Sequence, residues 1–248
     1  MTRTVAITGA ASGIGKAAAR RLASQGWEVF ALDMAPISAA PNVTPLTCDV
    51  SDTSSVTTIF DRIAARASKL NALICCAGIL RIGPMAEMAV DEFDRVFAIN
   101  TRGTWLCAKA AFPLLKAAAQ SGAPARVVFL SSVAALRPKI SSGAYAASKA
   151  AVSHLTRVIG VEWAEHGILV NALAPGTVDT PMIHAVSDPA KAGRYRPSGA
   201  SPVGRIASPD DVVDVIGFLL SDAARYITGT TIPVDGGTQA AFVPPQGN

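Results

Sequence analysis

The 248-residue chain has few of the residues that build metal sites and disulfide frameworks. Its four cysteines, Cys48, Cys75, Cys76 and Cys107, form no C-x-x-C pair, and its three histidines are far apart in sequence. These spacings argue against a zinc site, so no metal is expected. Because 50% of the residues are hydrophobic, the chain can bury a core without staples, and the cysteines are interpreted as free thiols in a reducing compartment.

The chain also has few aromatic residues and a small net charge. Aromatic side chains make up 6% of the chain, and the net charge of +4 is thinly spread. Nucleic-acid-binding proteins concentrate basic residues on one face or interleave them with stacking rings, so no nucleic-acid partner is expected. No apolar run reaches the 18 or so residues that span a membrane, and Gly9 and Ser12 interrupt the first apolar stretch before it resembles a signal peptide. The expected location is the cytoplasm, with no membrane partner.

What the chain has instead is an alternation of short apolar runs with longer helical patterns. Strands are predicted at residues 3–8, 28–32, 46–48, 72–76, 126–130, 169–173 and 231–234. Helices are predicted at residues 16–25, 91–119, 145–166 and 209–220, with another capped by Ser51 or Asp52. This alternation is typical of βαβ units, and the continuous apolar strands indicate helices on both faces of a parallel sheet. We predict one α/β domain over residues 1–248.

Two stretches fall outside this pattern. Residues 176–208 belong to an irregular segment rich in Pro, Gly, Ser and Asp. Long irregular loops in compact domains are usually functional, so we predict a substrate lid, with surface padding as the alternative. Residues 242–248 are predicted to be a loose tail.

The turn after the first strand has the composition of a phosphate-binding loop. It contains Gly9, Ser12, Gly13, Ile14 and Gly15 and leads into the first helix. A helix N-terminus presents free N–H groups and the positive end of the helix dipole, and glycines let the backbone approach a pyrophosphate closely. The spacing is G-x-x-x-G-x-G rather than G-x-G-x-x-G. Its position between a strand and a helix predicts dinucleotide binding.

Acidic residues after the next two strands bear on the cofactor. Asp33 ends the second strand, and residues 34–36 contain no Lys or Arg. A carboxylate there accepts hydrogen bonds from the adenosine ribose and repels a 2′-phosphate, so NAD is predicted in preference to NADP. The alternative is that Asp33 caps a turn. Asp49 and Val50 are predicted to line the adenine pocket, with an ordinary helix start as the alternative.

Three further residues suggest proton transfer. Tyr145 and Lys149 lie four apart at the start of a predicted helix and share a face, and Ser132 lies at the end of a predicted strand. A tyrosine must lose about 3 units of pKa to act as a base at pH 7. A neighbouring ammonium can supply much of that shift only where water is partly excluded. A Y-x-x-x-K pair alone also occurs by chance on solvated helix faces.

Together these residues resemble the short-chain dehydrogenase/reductase family over residues 4–237. The matching segments are Thr8-Gly9-x-x-x-Gly13-Ile14-Gly15, Asp49-Val50, Ala77-Gly78, Asn100, Ser132, Tyr145-x-x-x-Lys149, Asn171 and Pro175-Gly176. The resemblance implies one doubly wound Rossmann domain of about seven parallel strands with helices on both faces. It also implies an NAD(P)-dependent oxidoreductase that is commonly a homotetramer, paired through the helix at 145–166.

The same resemblance implies a role for each catalytic residue. Tyr145 would be the general acid/base, Lys149 would lower its pKa and bind the nicotinamide ribose, Ser132 would hold the substrate oxygen, and Asn100 would hold a relay water. The cofactor contacts that it implies further are Ala77, Gly78, Pro175, Gly176, Val178 and Thr180. One departure stands out: Cys76 occupies a position where the family often has Asn.

The substrate is less sharply indicated. Candidate substrate-facing residues, besides Ser132, are Arg81, Arg137, Lys139, Met182, Arg194, Tyr195 and Arg196. Several cations near one site favour an anionic substrate such as a carboxylate, and solvated lid charges are the alternative. The segments 77–83, 177–182 and 186–188 resemble 2,3-dihydro-2,3-dihydroxybenzoate dehydrogenases, which implies a cyclic dihydrodiol carboxylate. Alternatives are a sugar, polyol or other secondary-alcohol dehydrogenase, a 3-oxoacyl thioester reductase, and a non-catalytic NAD-binding sensor.

Overall fold

Parallel strands form one central sheet in the computed structural model, which describes residues 2–186 and 199–240. Within these residues the sheet has seven strands, in the order β3-β2-β1-β4-β5-β6-β7, and every neighbouring pair is parallel. The strands are β1 (Thr4–Thr8), β2 (Glu28–Asp33), β3 (Val43–Thr47), β4 (Ala72–Cys75), β5 (Ala125–Leu130), β6 (Ile168–Pro175) and β7 (Thr231–Val234). This order confirms the predicted doubly wound, Rossmann-like fold.

Helices cover both faces of the sheet. They are α1 (Gly13–Ser24), α2 (Thr53–Arg66), α3 (Val90–Phe97), α4 (Thr104–Ala119), α5 (Gly143–Glu162), α6 (Pro181–Val186) and α7 (Pro209–Leu219). One core cluster packs Leu22 of α1 and Ile216 of α7 against strand residues such as Ile7. The opposite cluster packs α2, α4 and α5 against residues such as Ala6 and Phe129. Successive strand residues therefore point to opposite cores, as a fully covered sheet requires.

The segment predicted as a helix at 91–119 is helical along its whole length, but its winding is not uniform. A π-helical turn, Ala98–Gly103, separates α3 from α4. Within this turn the side chain of Asn100 reaches out to the backbone of Ile79. A Cβ on Gly103 would lie 2.9 Å from the carbonyl oxygen of Val50. Residues 100–104 are Asn, Thr, Arg, Gly and Thr, so no spacing of apolar side chains reveals the wider winding of the turn.

Other boundaries differ by a few residues. β3 begins at Val43 rather than at residue 46, because it is an edge strand and such strands tolerate a proline like Pro45. The helix predicted at 145–166 ends at Glu162 and is followed by a 3₁₀ turn that stops at Gly167, where φ is +72°. The N-cap of α2 is Asp52, whose carboxylate accepts the N–H of Ser54 at 3.0 Å.

The predicted lid is described at its two ends. Val178, near the start of the predicted lid, forms a parallel β-bridge with Ala207, near its end. Helix α6 follows Val178 in the chain. Residues 187–198 and the predicted tail at 242–248 lie outside the described residues, so lid and tail stay predictions. Across residues 2–186 and 199–240, no helix combines the length and the hydrophobicity needed to cross a bilayer.

Candidate active site

A cavity of about 320 Å³ lies at the edge of the sheet where the strands end. Of the predicted site residues, its walls include Gly9, Ser12, Gly13, Ile14, Gly15, Asp33, Asp49, Val50, Ala77, Gly78, Ser132, Tyr145, Lys149, Pro175, Gly176, Val178, Thr180 and Met182. Asn100 lies behind the wall, Arg81 is not part of it, and Arg194 lies outside the described residues. Open α/β sheets bind ligands in such a crevice.

Sequence reasoning missed several lining residues. They are Leu32, Met34, Cys48, Cys76, Ile79, Ile99, Leu130, Ser131, Pro181 and Ile183. Most directly follow or precede a predicted residue, so position at a strand end was the available signal. Ile99 and Ile183 lie in helical turns that the sequence pattern did not resolve.

The glycine turn leaves no room for side chains. Gly9 has a φ of +70°, and a Cβ there would lie 2.7 Å from the backbone nitrogen of Ala77. A Cβ on Gly15 would collide with the carbonyl oxygen of Gly9. Ser12 makes no side-chain capping bond to α1, and the first turn of that helix has no acidic residue. The helix N-terminus is therefore suited to an anion such as a pyrophosphate.

Asp33 holds the backbone on either side of it. Its carboxylate accepts the N–H of Ala11 at 3.0 Å and that of Ala35 at 2.9 Å. Turn capping and ribose binding are compatible, because each carboxylate oxygen has a further lone pair. Asp49 similarly accepts from the backbone and hydroxyl of Ser51. Among the described lining residues Lys149 is the only lysine or arginine, so no cation of the wall accompanies Asp33.

Ser132, Tyr145 and Lys149 come from the end of β5 and the start of α5. The Ser132 hydroxyl accepts the N–H of Ala134 at 3.1 Å. The Lys149 Nζ lies 5.9 Å from the centre of the Tyr145 ring and donates to the carbonyl of Leu130 at 2.8 Å. Burial lowers the pKa of Lys149 to about 8. The Lys149 side chain is therefore buried near Tyr145, as the predicted activation of Tyr145 would require.

Asn100 joins the cofactor side of the cavity to the catalytic helix. Its side-chain oxygen accepts the N–H of Ile79 at 2.8 Å, and its amide nitrogen donates to the carbonyl of Ile79 and the hydroxyl of Ser148, both at 3.0 Å. Ser148 in turn donates to the carbonyl of Tyr145 at 2.7 Å. Both amide protons are thus used by the protein, and the predicted role of Asn100 in holding a water stays a prediction.

The substrate side of the cavity is apolar. Leu80 is buried and packs with Ile82, Met182 and the Tyr145 ring. The predicted anion partner Arg81 lies 3.7 Å from a carboxylate oxygen of Glu92. Of this apolar cluster, Met182 and Tyr145 line the cavity, so hydrocarbon lies next to the predicted acid/base.

Two other predicted cations occupy the loop between Ser132 and Tyr145. Arg137 donates to the carbonyl of Thr238 at 2.8 Å. Burial, with the charge of Arg137, lowers the pKa of the half-buried Lys139 to about 8. Tyr195 and Arg196, like Arg194, lie outside the described residues.

The cysteines are free thiols with three of them buried, and Cys76 half-buried in the cavity wall. Burial raises the pKa of Cys76 to about 12, so this side chain is a neutral thiol at physiological pH. In residues 2–186 and 199–240, no group of three or more His, Cys, Asp and Glu side chains is arranged to hold a metal.

The chain is similar to known proteins over nearly its whole length. A family model described as enoyl-(acyl carrier protein) reductase matches residues 9–239. A cis-4-hydroxycyclohexanecarboxylate dehydrogenase from Sinomonas cyclohexanicum is 38% identical, over 96% of this chain and 97% of that protein. The 2,3-dihydro-2,3-dihydroxybenzoate dehydrogenase of Escherichia coli K12 is 35% identical, over 95% of each. The ligand-free structure of Thermoplasma acidophilum aldohexose dehydrogenase has a TM-score of 0.88 at 29% identity, covering 100% of this chain and 97% of that one.

Proposed function

The chain belongs to the short-chain dehydrogenase/reductase family, and from that premise we propose that it is an NAD-dependent dehydrogenase for a secondary alcohol on a carboxylated six-membered carbocycle. As a family member it is an oxidoreductase that acts on secondary alcohols or ketones with a nicotinamide cofactor. The convergence of Ser132, Tyr145 and Lys149 on one cavity with the glycine turn carries the proposed chemistry, and the names of two relatives support the proposed substrate class.

The residues of the cavity suit NAD. The turn from Gly9 to Gly15 would bind the pyrophosphate, Asp33 the adenosine ribose, and Pro175, Gly176 and Thr180 the nicotinamide. A carboxylate with no lysine or arginine of the wall beside it would repel the 2′-phosphate of NADP. When bound, NAD⁺ supplies the acceptor for the hydride that leaves the carbinol carbon.

Three side chains would carry the proton chemistry. Tyr145, as phenolate, would take the hydroxyl proton of the alcohol while the C–H hydride is transferred. The Lys149 ammonium would favour the phenolate, and the dry setting makes that attraction several times stronger than in water. Ser132 would donate a hydrogen bond to the substrate oxygen as its charge develops.

The apolar wall favours a ring substrate over a sugar. Met182 and Ile183 line the cavity, and Leu80 and Ile82 pack with Met182 and Tyr145. Sugar hydroxyls buried against Met182 and Ile183 would lose hydrogen bonds to water without replacement. The printed names of the two dehydrogenases from Sinomonas and Escherichia describe hydroxylated rings with a carboxylate, which supports the same class. Arg81 and Arg194 are the proposed carboxylate partners. Arg81 would leave Glu92 at little cost, because exposed ion pairs are weak.

A sugar or polyol dehydrogenase is the second candidate, because the chain also shares its fold with an aldohexose dehydrogenase. A 3-oxoacyl thioester reductase would be expected to use NADP, against which Asp33 argues. We further propose a single domain with residues 176–208 as lid, a cytoplasmic location and assembly as a homotetramer.

The function is tested by NAD reduction across a panel of alcohols. The panel holds 2,3-dihydro-2,3-dihydroxybenzoate, hydroxycyclohexanecarboxylates, the same rings without carboxylate, hexoses and polyols, with NADP in parallel. Turnover on the carboxylated rings with NAD, abolished in Tyr145→Phe, is the expected result. Turnover confined to hexoses or polyols would favour the second candidate, and NAD binding without any turnover would favour a sensor.

The carboxylate partner is tested in the same assay by Arg81→Ala. We expect KM for carboxylated rings to rise at least about tenfold, because a charge-assisted bond is lost, while KM for rings without carboxylate stays unchanged. Glu92→Gln is the matched control, since it removes the same ion pair and leaves the guanidinium in place. Equal kinetics of Arg81→Ala and wild type on carboxylated rings would remove Arg81 from the proposal.

A further inference from the structure

Residues at the end of β5 form hydrogen bonds with two different atoms of Lys149, its Nζ and its backbone carbonyl oxygen. The carbonyl of Leu130 accepts from Lys149 Nζ at 2.8 Å, and the hydroxyl of Ser131 donates to the backbone carbonyl of Lys149 at 2.9 Å. The next residue is Ser132, the proposed partner of the substrate oxygen. Three consecutive residues therefore have three different contacts. Leu130 binds the ammonium of Lys149, Ser131 binds its backbone carbonyl, and Ser132 lines the cavity where the substrate is proposed to bind.

A second serine orients the first. Ser153, one helical turn after Lys149, places its hydroxyl 2.7 Å from that of Ser131. Ser131 has a single hydroxyl proton and donates it to the Lys149 carbonyl, so Ser153 is the donor of the pair. Both serines are buried.

The helix does not need this bond for its own hydrogen bonding. In an α-helix the carbonyl of residue i is paired with the N–H of residue i+4, which for Lys149 is the N–H of Ser153. The Ser131 hydroxyl is an additional donor that comes from the sheet. Its effect is to tie the register of α5 to the end of β5 at the position of Lys149.

We propose that Ser131, oriented by Ser153, is a positioning residue that fixes Lys149 relative to both Tyr145 and Ser132. The inference rests on the proposed roles of those three residues. Position matters here because attraction between opposite charges falls with distance: lengthening a separation of about 4 Å by about 1 Å weakens it by about a fifth. At an effective dielectric of about 20, that loss raises the pKa of the tyrosine by about half a unit.

The other ionisable groups that act on Lys149 leave this relation undisturbed. They are the thiols of Cys75 and Cys76 at the end of β4 and, on α5 itself, Tyr145. Burial holds the pKa of both thiols above its ordinary value, that of Cys76 at about 12. Both therefore stay neutral over the pH range in which Tyr145 is proposed to ionise.

The experiment follows the ionisation of Tyr145 by the ultraviolet absorbance of the phenolate, which requires no turnover. The chain has three tyrosines, so subtracting the Tyr145→Phe titration in each background isolates Tyr145. Ser131→Ala is expected to raise the pKa of Tyr145 by about half a unit, and Ser131→Thr, which keeps the hydroxyl, to restore it. Ser153→Ala should shift it less, because Ser131 keeps its own proton for the Lys149 carbonyl.

Thr156→Val is the matched control. Thr156 is a fully buried residue of the same helix, and its hydroxyl donates at 2.8 Å to the carbonyl of Val152 rather than to the sheet. Thr156→Val should lower the melting temperature and leave the pKa of Tyr145 unchanged. If Ser131→Ala behaves as this control does, Ser131 is a structural residue only and the proposal is overturned.

Failure of the proposed function would look different. In that case the wild-type protein would reduce no NAD with any compound of the panel, while the titrations would still differ between Ser131→Ala and wild type. If the wild type is active, the acidic limb of its kcat–pH profile should move upward in Ser131→Ala with the titration. If neither the acidic limb of the kcat–pH profile nor the pKa of Tyr145 changes in Ser131→Ala, the positioning role is contradicted.

Discussion

The Lys149 ammonium is 4% exposed and donates to the carbonyl of Leu130. Burial lowers its pKa from 10.5 to about 8. In the unfolded chain the same group keeps its ordinary pKa, so between pH 8 and 10.5 the unfolded state binds more protons than the folded state. Stability from this group therefore rises with pH through that window, and below pH 8 the unfavourable contribution is constant. The charge that would activate Tyr145 works against folding at neutral pH.

Replacing this lysine should therefore stabilise the protein at neutral pH. Lys149→Met keeps the volume and removes the charge, which alone would raise the free energy of unfolding at pH 7 by up to about 3 kcal/mol. The unpaired carbonyl of Leu130 takes about 1–2 kcal/mol from that gain. The difference should shrink as pH rises from 8 to 10.5. Urea unfolding at a series of pH values measures it, with the exposed Lys16→Met as control. A difference that does not change with pH would contradict the assigned cause.

At the scale of the element, the π-helical turn Ala98–Gly103 is the feature that organises the site. It directs Asn100 at both backbone groups of Ile79, and Thr101 donates to the carbonyl of Ser148 at 3.0 Å. The turn therefore binds the segment after β4 and the helix that carries Tyr145. Its loss should affect catalysis as well as stability.

Two buried asparagines allow these effects to be separated. Asn171 on β6 also bonds the backbone twice, donating to the carbonyl of Ile227 at 2.8 Å and accepting from Thr230 at 3.2 Å. We expect Asn100→Ala and Asn171→Ala each to lower the free energy of unfolding by about 2–3 kcal/mol, because each leaves buried backbone groups unpaired. Only Asn100→Ala should also reduce kcat, by about tenfold or more. Urea unfolding measures the loss of stability, and steady-state kinetics measures kcat. Equal kcat values in both variants would refute the role of the turn.

At the scale of the whole molecule, α4 and α5 carry apolar side chains on the surface. Val161 is 75% exposed, and Val158 and Trp105 are each exposed by about two fifths. Exposed apolar side chains that cluster in space mark association sites. Val158 and Val161 lie on α5, the helix that the family resemblance assigns to subunit pairing, and Trp105 lies on α4.

The proposed homotetramer is tested by sedimentation velocity. The wild type is expected to sediment as a tetramer and Val161→Arg as a smaller species, because a charge would be buried without a partner at the interface. Val161→Thr preserves the shape of the side chain and should stay assembled. Identical sedimentation of Val161→Arg and the wild type would exclude this face from the assembly.

The sequence by itself determined what depends on neighbours along the chain. The alternation of apolar runs and helical patterns predicted the parallel α/β sheet, and the order of strands confirmed it. The turn from Gly9 to Gly15 and the pair Tyr145 and Lys149 were found because four-residue spacings are set by local geometry. The winding around Asn100 was not found, since residues 100–104 carry no apolar side chains whose spacing could indicate a π-helical turn.

Only the tertiary structure decided which distant groups meet. Ser131 and Ser153 are 22 residues apart, Asn100 and Ile79 are 21 apart, and Lys149 and Leu130 are 19 apart. No periodic pattern links such pairs, because their contacts are created when strand ends and helix faces pack on the sheet. The sequence therefore predicts which side chains would react. The hydrogen bonds and the burial that shift the pKa of Lys149 and orient it towards Tyr145 exist only in the fold.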